Sequence, residues 1–279
     1  MTILELIRKT TSFFEKAGVP DPRLDVELLL AHALGLKRMD LYLQFERALS
    51  ESELDWLRPM VKRRATREPL QHILGKVEFY GLEIRCTAQA LIPRPETELL
   101  VQRAVELLAA RSSVLDLGTG GGAIALAVAH ACSSVTCVAT DISENALALA
   151  RANAEQTGLQ KRVEYRQGDL FQPIAPGEIF DLIASNPPYI PSGEISTLQA
   201  EVRHDPSLAL DGGADGLAVI RKLIAGAAVF LKKEGWLALE IGRDQASAVR
   251  EALEKSGWSS IGFVNDLQGI PRIVSARRA

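Results

Sequence analysis

Between Ser113 and Ala131 the chain reads "SVLDLGTGGGAIALAVAHA": an aliphatic stretch, four glycines within five residues, then an apolar stretch of helical length. Glycine adopts backbone angles closed to other residues and lets a ligand approach the main chain. The same alternation continues downstream. "VTCVATD" reads as a strand and "SENALALARANAEQTG" as a helix capped by Ser143, followed by the strands "RVEYRQGD" and "FDLIASN". A helix near Leu217–Leu231, the strand "WLALEIG", a helix over Asp244–Ser256 and strands near Ser259–Val264 and Arg272–Ala276 complete the run. Strands alternating with helices predict an α/β, Rossmann-like domain, a mostly parallel seven-stranded sheet with helices on both faces.

The glycine turn falls at the carboxyl edge of the first sheet strand, where doubly wound folds bind ligands. Asp141 ends the next strand, where a carboxylate can accept hydrogen bonds from both hydroxyls of a ribose. Gly118, Gly120 and Ala123 satisfy the dinucleotide pattern GxGxxG/A, with Asp141 at a fitting distance, so NAD stays open. So does a turn that only packs helix on strand. Two details favour S-adenosyl-L-methionine. Asp116, two residues before Gly118, would repel a pyrophosphate. Gly168–Asp169 ends the third strand, where a carboxylate could accept the amino group of an adenine, with Leu170 and Phe171 against the ring.

"SNPPYIP", Ser185 to Pro191, ends the fourth strand at the same edge. Proline cannot donate to a strand ladder, so the strand stops there. Asn186 offers an amide oxygen, Pro187 and Pro188 offer carbonyls on a stiff backbone, and Tyr189 offers a flat ring. Together they make a cradle for a planar –NH₂ group, with two acceptors for its two hydrogens. The nitrogen of such a group is delocalised and poorly nucleophilic, so its methylation depends on positioning and on hydrogen bonds that favour a more tetrahedral nitrogen. These residues specify a planar –NH₂ and leave open whether a nucleobase or a glutamine carries it.

Upstream, residues 1 to about 68 read as helices only, with apolar residues at helical spacing from Ile3 to Phe14, a second helix from Leu24 stopped by Gly35, and a third opened by Ser50 and Glu53 at capping-box spacing. "VEFYGLEIRC", Val77 to Cys86, reads as a β-hairpin, and Pro95 with Glu96 and Glu98 as a helix start. The expected domains are 1–70, helical; 71–92, hairpin linker; and 93–279, catalytic. Lys62–Arg64 with Arg67 could meet an acidic partner or RNA but reads first as a solvated helix face, and His204–Asp205 reads as a turn before Pro206. Arg94 and Glu96 either shape the cleft mouth or cap a helix.

Charge argues against a nucleic-acid substrate. Residues 1–90 carry 14 Lys and Arg against 13 Asp and Glu, and the remainder 18 against 22, so no large basic excess is available to neutralise phosphates. Three cysteines without CxxC spacing argue against zinc or a disulfide framework and fit a reducing cytoplasm. No apolar run is long enough to span a membrane. No metal is expected.

By its motifs the chain resembles the bacterial protein-(glutamine-N5) methyltransferases that act on peptide chain release factors. The resemblance covers nearly the whole length. It is carried by "RRATREPLQHILGKVEFYG" (Arg63–Gly81), "LIPRPETELLV" (Leu91–Val101), "LDLGTGGGAIALAVA" (Leu115–Ala129), "SNPPYIP" and "EVRHDPSLALDGGADGL" (Glu201–Leu217). It implies S-adenosyl-L-methionine as methyl donor, the glutamine of the release factors' Gly-Gly-Gln loop as acceptor, and a helical N-terminal domain that helps hold that protein. Carried over by motif, Gly118, Thr119, Gly120, Gly121, Gly122, Asp141, Asp169, Leu170 and Asn186 contact the donor. Asn186, Pro187, Pro188 and Tyr189 hold the glutamine, with Asn186, Pro187 and Tyr189 catalytic. A cytoplasmic monomer is expected. A glutamine on a large-subunit ribosomal protein is the alternative acceptor, and an exocyclic amine of DNA or RNA a more distant one.

Overall fold

The computed structural model describes residues 1–279. They separate into two compact units, Met1–Lys76 with Gln199–His204, and Val77–Leu198 with Asp205–Ala279.

The first unit is helical. α1 (Ile3–Lys16) opens on a capping box, in which Glu5 N donates to Thr2 Oγ1 (3.2 Å) and Thr2 N to Glu5 Oε2 (3.0 Å). α2 (Pro22–Leu34) ends at Gly35, whose φ of 64° satisfies a left-handed cap. α3 (Arg38–Tyr42) and α5 (Leu70–Leu74) are too short to leave a periodic signature, while α4 (Glu51–Ala65) starts at the Ser50–Glu53 box. Phe14, Leu29, Leu30 and Leu41 are buried at the centre; each such side chain contributes about 1.5–3 kcal/mol. Glu27 is also fully buried, and accepts from Arg23 Nε (2.9 Å), Arg38 Nε (2.7 Å) and Tyr42 OH (2.9 Å).

The solvated basic face holds for Lys62 and Arg63 and fails for Arg64, which is 3% exposed, and for Arg67, which is half-buried and held by Glu201. Arg64 lies three residues after Val61, on the apolar stripe of α4, so helical periodicity carries it inward. There it donates to Asp25 Oδ2 (2.6 Å) and Glu201 Oε1 (2.8 Å).

A hairpin of β1 (Lys76–Phe79) and β2 (Leu82–Arg85) opens the second unit, whose first residue is Val77. Both turn residues, Tyr80 and Gly81, have positive φ, the backbone a two-residue turn needs to match strand twist. α6 (Thr97–Leu107) starts two residues later than Pro95 suggests. Glu98 lies in its first turn and accepts from Tyr80 N (2.7 Å), joining helix to hairpin.

β3 (Ser113–Leu117), β4 (Thr136–Asp141), β5 (Val163–Gln167), β6 (Phe180–Ser185), β7 (Leu231–Glu240), β8 (Ser259–Asn265) and β9 (Pro271–Arg277) form one seven-stranded sheet. Its order is β5-β4-β3-β6-β7-β9-β8, and only the β9 pairings are antiparallel. α6, α7 (Ala123–Ala131) and α8 (Glu144–Thr157) contribute to the apolar cluster on one face, and α9 (Ala218–Phe230) with α10 (Ala246–Lys255) to that on the other. Chain direction across the sheet reverses between β3 and β6, which opens a crevice at their carboxyl ends. The Rossmann-like, mostly parallel seven-stranded sheet with helices on both faces is therefore present as the alternation implied. No helix is long and apolar enough to cross a membrane.

Candidate active site

The crevice holds a cleft of about 220 Å³. Gly118, Gly120, Asp141, Asp169, Leu170, Asn186, Pro187 and Pro188 line it; Thr119, Gly121, Gly122 and Tyr189 do not. Gly118 has φ +71°, and a Cβ built on it would meet no protein atom within 4 Å. The space that a side chain there would fill belongs to the cleft. Gly122 instead caps α7 with φ +86°, and its Cβ would lie 3.1 Å from Ala150 Cβ. The glycines thus divide between ligand space and helix packing.

Asp141 closes the turn from the neighbouring strand. Its Oδ2 accepts from Gly120 N (2.8 Å) and its Oδ1 from Ser143 N (2.9 Å), while burial raises its pKa. Each oxygen keeps a lone pair for a ligand hydroxyl. Asp169 is exposed at the cleft wall, and Leu170 beside it has φ +47°. Phe171 turns away, stacked on Phe230 with ring centroids 4.9 Å apart, so of the two residues expected against an adenine only Leu170 faces the cleft.

Asp116 also departs from expectation. It is fully buried beneath the turn, where Oδ2 accepts from Thr119 Oγ1 (2.6 Å) and Ala125 N (3.1 Å). Burial pushes its pKa to about 7, so it ties the turn to α7 rather than repelling a ligand. The charge that a ligand meets comes from the cleft wall itself. Asp141 and Asp169 are its only charged side chains, and no Lys, Arg or His lines it. Such a wall suits a ligand bearing positive charge and disfavours a pyrophosphate.

At the end of β6, Ser185 Oγ donates to Leu117 O (2.6 Å), binding the two switch-point strands together. Asn186 then turns its Nδ2 to Thr97 Oγ1 (3.1 Å), and its Oδ1 accepts no protein hydrogen bond. Thr97 Oγ1 donates to Glu240 Oε2 (2.7 Å), and Tyr189 OH donates to Glu240 Oε1 (3.2 Å). Burial raises the pKa of Tyr189 and pushes that of Glu240 to about 7. Sequence reasoning missed both Thr97 and Glu240. A carboxylate inside the apolar strand "WLALEIG" was the available signal, since a buried acid requires partners.

Two further contacts shape the loop. Asp205, 4% exposed, pairs with Arg94 and accepts from Ile92 N (3.3 Å). It anchors a turn whose Pro206 lines the cleft, so both Arg94 and Asp205 do more than cap or punctuate. Downstream, Gln245 Nε2 donates to Tyr189 O (2.9 Å), and Gly216 packs so closely that a Cβ there would lie 2.3 Å from Tyr189 O. Gly216 also has φ +73°. Gly216→Ala should therefore lose about 1–3 kcal/mol to backbone strain and about 1–3 kcal/mol more to overpacking. Gly257→Ala, at φ +76° with no atom within 4 Å, should show the strain alone. Urea unfolding of the two variants checks this, and equal losses would show that the Tyr189 contact carries no energy.

Residues 5–75 match the family model described as the PrmC N-terminal domain, and residues 95–203 that of the methyltransferase small domain. The release factor glutamine methyltransferase of Geobacter sulfurreducens is 42% identical over 277 residues, covering 99% of this chain and 96% of that protein. That of Deinococcus radiodurans is 42% identical over 281 residues, covering 100% and 99%. A methyltransferase structure from Pyrococcus furiosus covers 71% of this chain and 90% of its own with a TM-score of 0.55 at 20% identity, a likeness of fold. With a methyltransferase sheet, an acidic cleft at its switch point and this identity along essentially the whole chain, the protein belongs to the release factor glutamine methyltransferase family.

Proposed function

We propose that the protein methylates the side-chain amide nitrogen of the glutamine in the Gly-Gly-Gln loop of peptide chain release factors, with S-adenosyl-L-methionine as donor. The observation that carries this reading is the polarity of Asn186: with Nδ2 committed to Thr97, its Oδ1 is left as an acceptor at the cleft. The donor, when bound, supplies a sulfonium-linked methyl group for direct in-line transfer.

The residues fit such a donor. The unfilled space over Gly118 admits it against the backbone, Asp141 accepts from ribose hydroxyls, Asp169 from an adenine amino group, and Leu170 supplies an apolar contact. Two carboxylates with no cation in the wall tolerate its positive charge.

Asn186 Oδ1 and the Pro187 carbonyl accept the two hydrogens of the glutamine –NH₂. They hold the nitrogen in one orientation and favour its lone pair over amide resonance, and the amide gives up one proton once the new C–N bond forms. Pro188 stiffens this turn, and Tyr189 braces it from below. Residues 1–70 hold the release factor, and the enzyme works as a cytoplasmic monomer.

Incubation with the donor and a release factor, followed by mass spectrometry, should find one added methyl on the glutamine of the Gly-Gly-Gln loop. Methyl found only in a large-subunit ribosomal protein, or only in naked nucleic acid, would overturn the assignment.

A further inference from the structure

Glu240 ends β7 beside Asn186: Ser185 and Leu239 are register partners, which sets the two next residues side by side. It is 2% exposed in a strand that is otherwise apolar at this end. Burying a carboxylate is costly, and nothing in the packing of α6 on the sheet requires one. We propose that Glu240, acting through the Thr97 hydroxyl, is a positioning residue that sets which pole of the Asn186 amide faces the reacting nitrogen, a role that rests on the assignment of Asn186 as acceptor above.

A hydroxyl has one proton. Thr97 gives its proton to Glu240 Oε2 at 2.7 Å, so toward Asn186 it offers only a lone pair. Asn186 must answer with Nδ2, which lies 3.1 Å away. A flipped amide would set Oδ1 against that lone pair and point –NH₂ at the substrate –NH₂, donor against donor. The ionised carboxylate thus selects the orientation that presents an acceptor. Its other oxygen takes the Tyr189 hydroxyl, so the same group braces both ends of the Asn-Pro-Pro-Tyr turn.

The arrangement needs Glu240 ionised. Burial raises its pKa to about 7, the Thr97 and Tyr189 hydrogen bonds oppose that rise, Glu96 adds to it, and Arg272 opposes it. Arg94 and Arg272 also act on Tyr189. Below about pH 7 a protonated Glu240 has a hydrogen of its own to place, and the direction of the relay is lost.

Thr97→Val removes the hydroxyl at nearly constant volume. With a release factor as acceptor, its kcat should fall by up to about 100-fold, the cost of a misplaced reacting group, with KM and donor affinity within about twofold. Thr97→Ser should restore kcat to within about threefold. Wild-type kcat should fall on the acid side of pH 7, and Glu240→Gln should lack that limb. In an Asn186→Ala background Thr97→Val should cost nothing further, because the two act as one unit. Asn186→Ala with full activity would sink the reading of the acceptor and this proposal together. If Asn186→Ala is impaired but Thr97→Val keeps its kcat, or costs the same in both backgrounds, the reading stands and the relay fails.

Discussion

Asn186→Ala should lower kcat for methyl transfer to a release factor by about 10²–10³-fold, the usual cost of removing one preorganised polar group from a reacting centre, while donor affinity measured by calorimetry stays within about threefold. The split follows from position. Asn186 directly follows β6, whereas Asp141, Asp169 and the open backbone at Gly118 belong to the β3, β4 and β5 edge of the cleft. Removing the side chain leaves that edge intact and takes away one of the two acceptors proposed for the substrate amide. The Ser185 bond to Leu117 O persists, so the strand end keeps its place. Activity within about threefold of wild type would place the acceptor elsewhere. A parallel loss of donor affinity would mean that Asn186 holds the donor rather than the nitrogen.

The second large effect is on stability. Arg64→Met should destabilise the protein by about 3–5 kcal/mol, because taking one partner from a buried ion pair leaves an uncompensated charge. Arg64 bridges Asp25 and Glu201 and also donates to Glu68 O (3.1 Å). Arg67 still holds Glu201 through Nε (2.7 Å) and Nη2 (2.6 Å), so Asp25 is the carboxylate left stranded. Adding Asp25→Leu should recover much of the loss, since an apolar replacement of a buried pair is often neutral. Urea unfolding of the single and double variants reads this directly. A single variant as stable as wild type would mean that water reaches Asp25.

The two acids carry opposite pH signatures. Burial raises Glu201, but the Arg67 and Arg64 hydrogen bonds overcome that and hold it at about 2. Its stabilising contribution is complete above its ordinary value of 4.5 and is lost as pH falls through about 2. Burial keeps Asp25 above its ordinary 3.8 despite Arg64. Its contribution is therefore greatest below 3.8 and declines as pH rises.

Much of the site was legible because it is local. The glycine turn, Asp141 and Asn186 are strand ends at one edge of a parallel sheet, and alternation alone brings them together. The cap residues Ser50 with Glu53, and Ser143, likewise act within three residues. Arg64 shows the limit of reading by residue type. Charge assigned it to solvent, whereas its place three residues after Val61 put it on the buried stripe. Asp116 shows another, because a strand residue beside a turn faces either the cleft or the sheet interior, and the strand pattern does not say which.

The sequence by itself determined the layered α/β fold and the position of the cleft, since each depends on periodicity or on neighbours in the chain. Only the tertiary structure decided how those groups are aimed. Thr97 meets Asn186 across 89 residues and Glu240 across 143, and Arg64 meets Glu201 across 137. Such pairings leave no local pattern. They exist because polar groups carried into a dry interior must find partners wherever the packed sheet and helices bring one within reach.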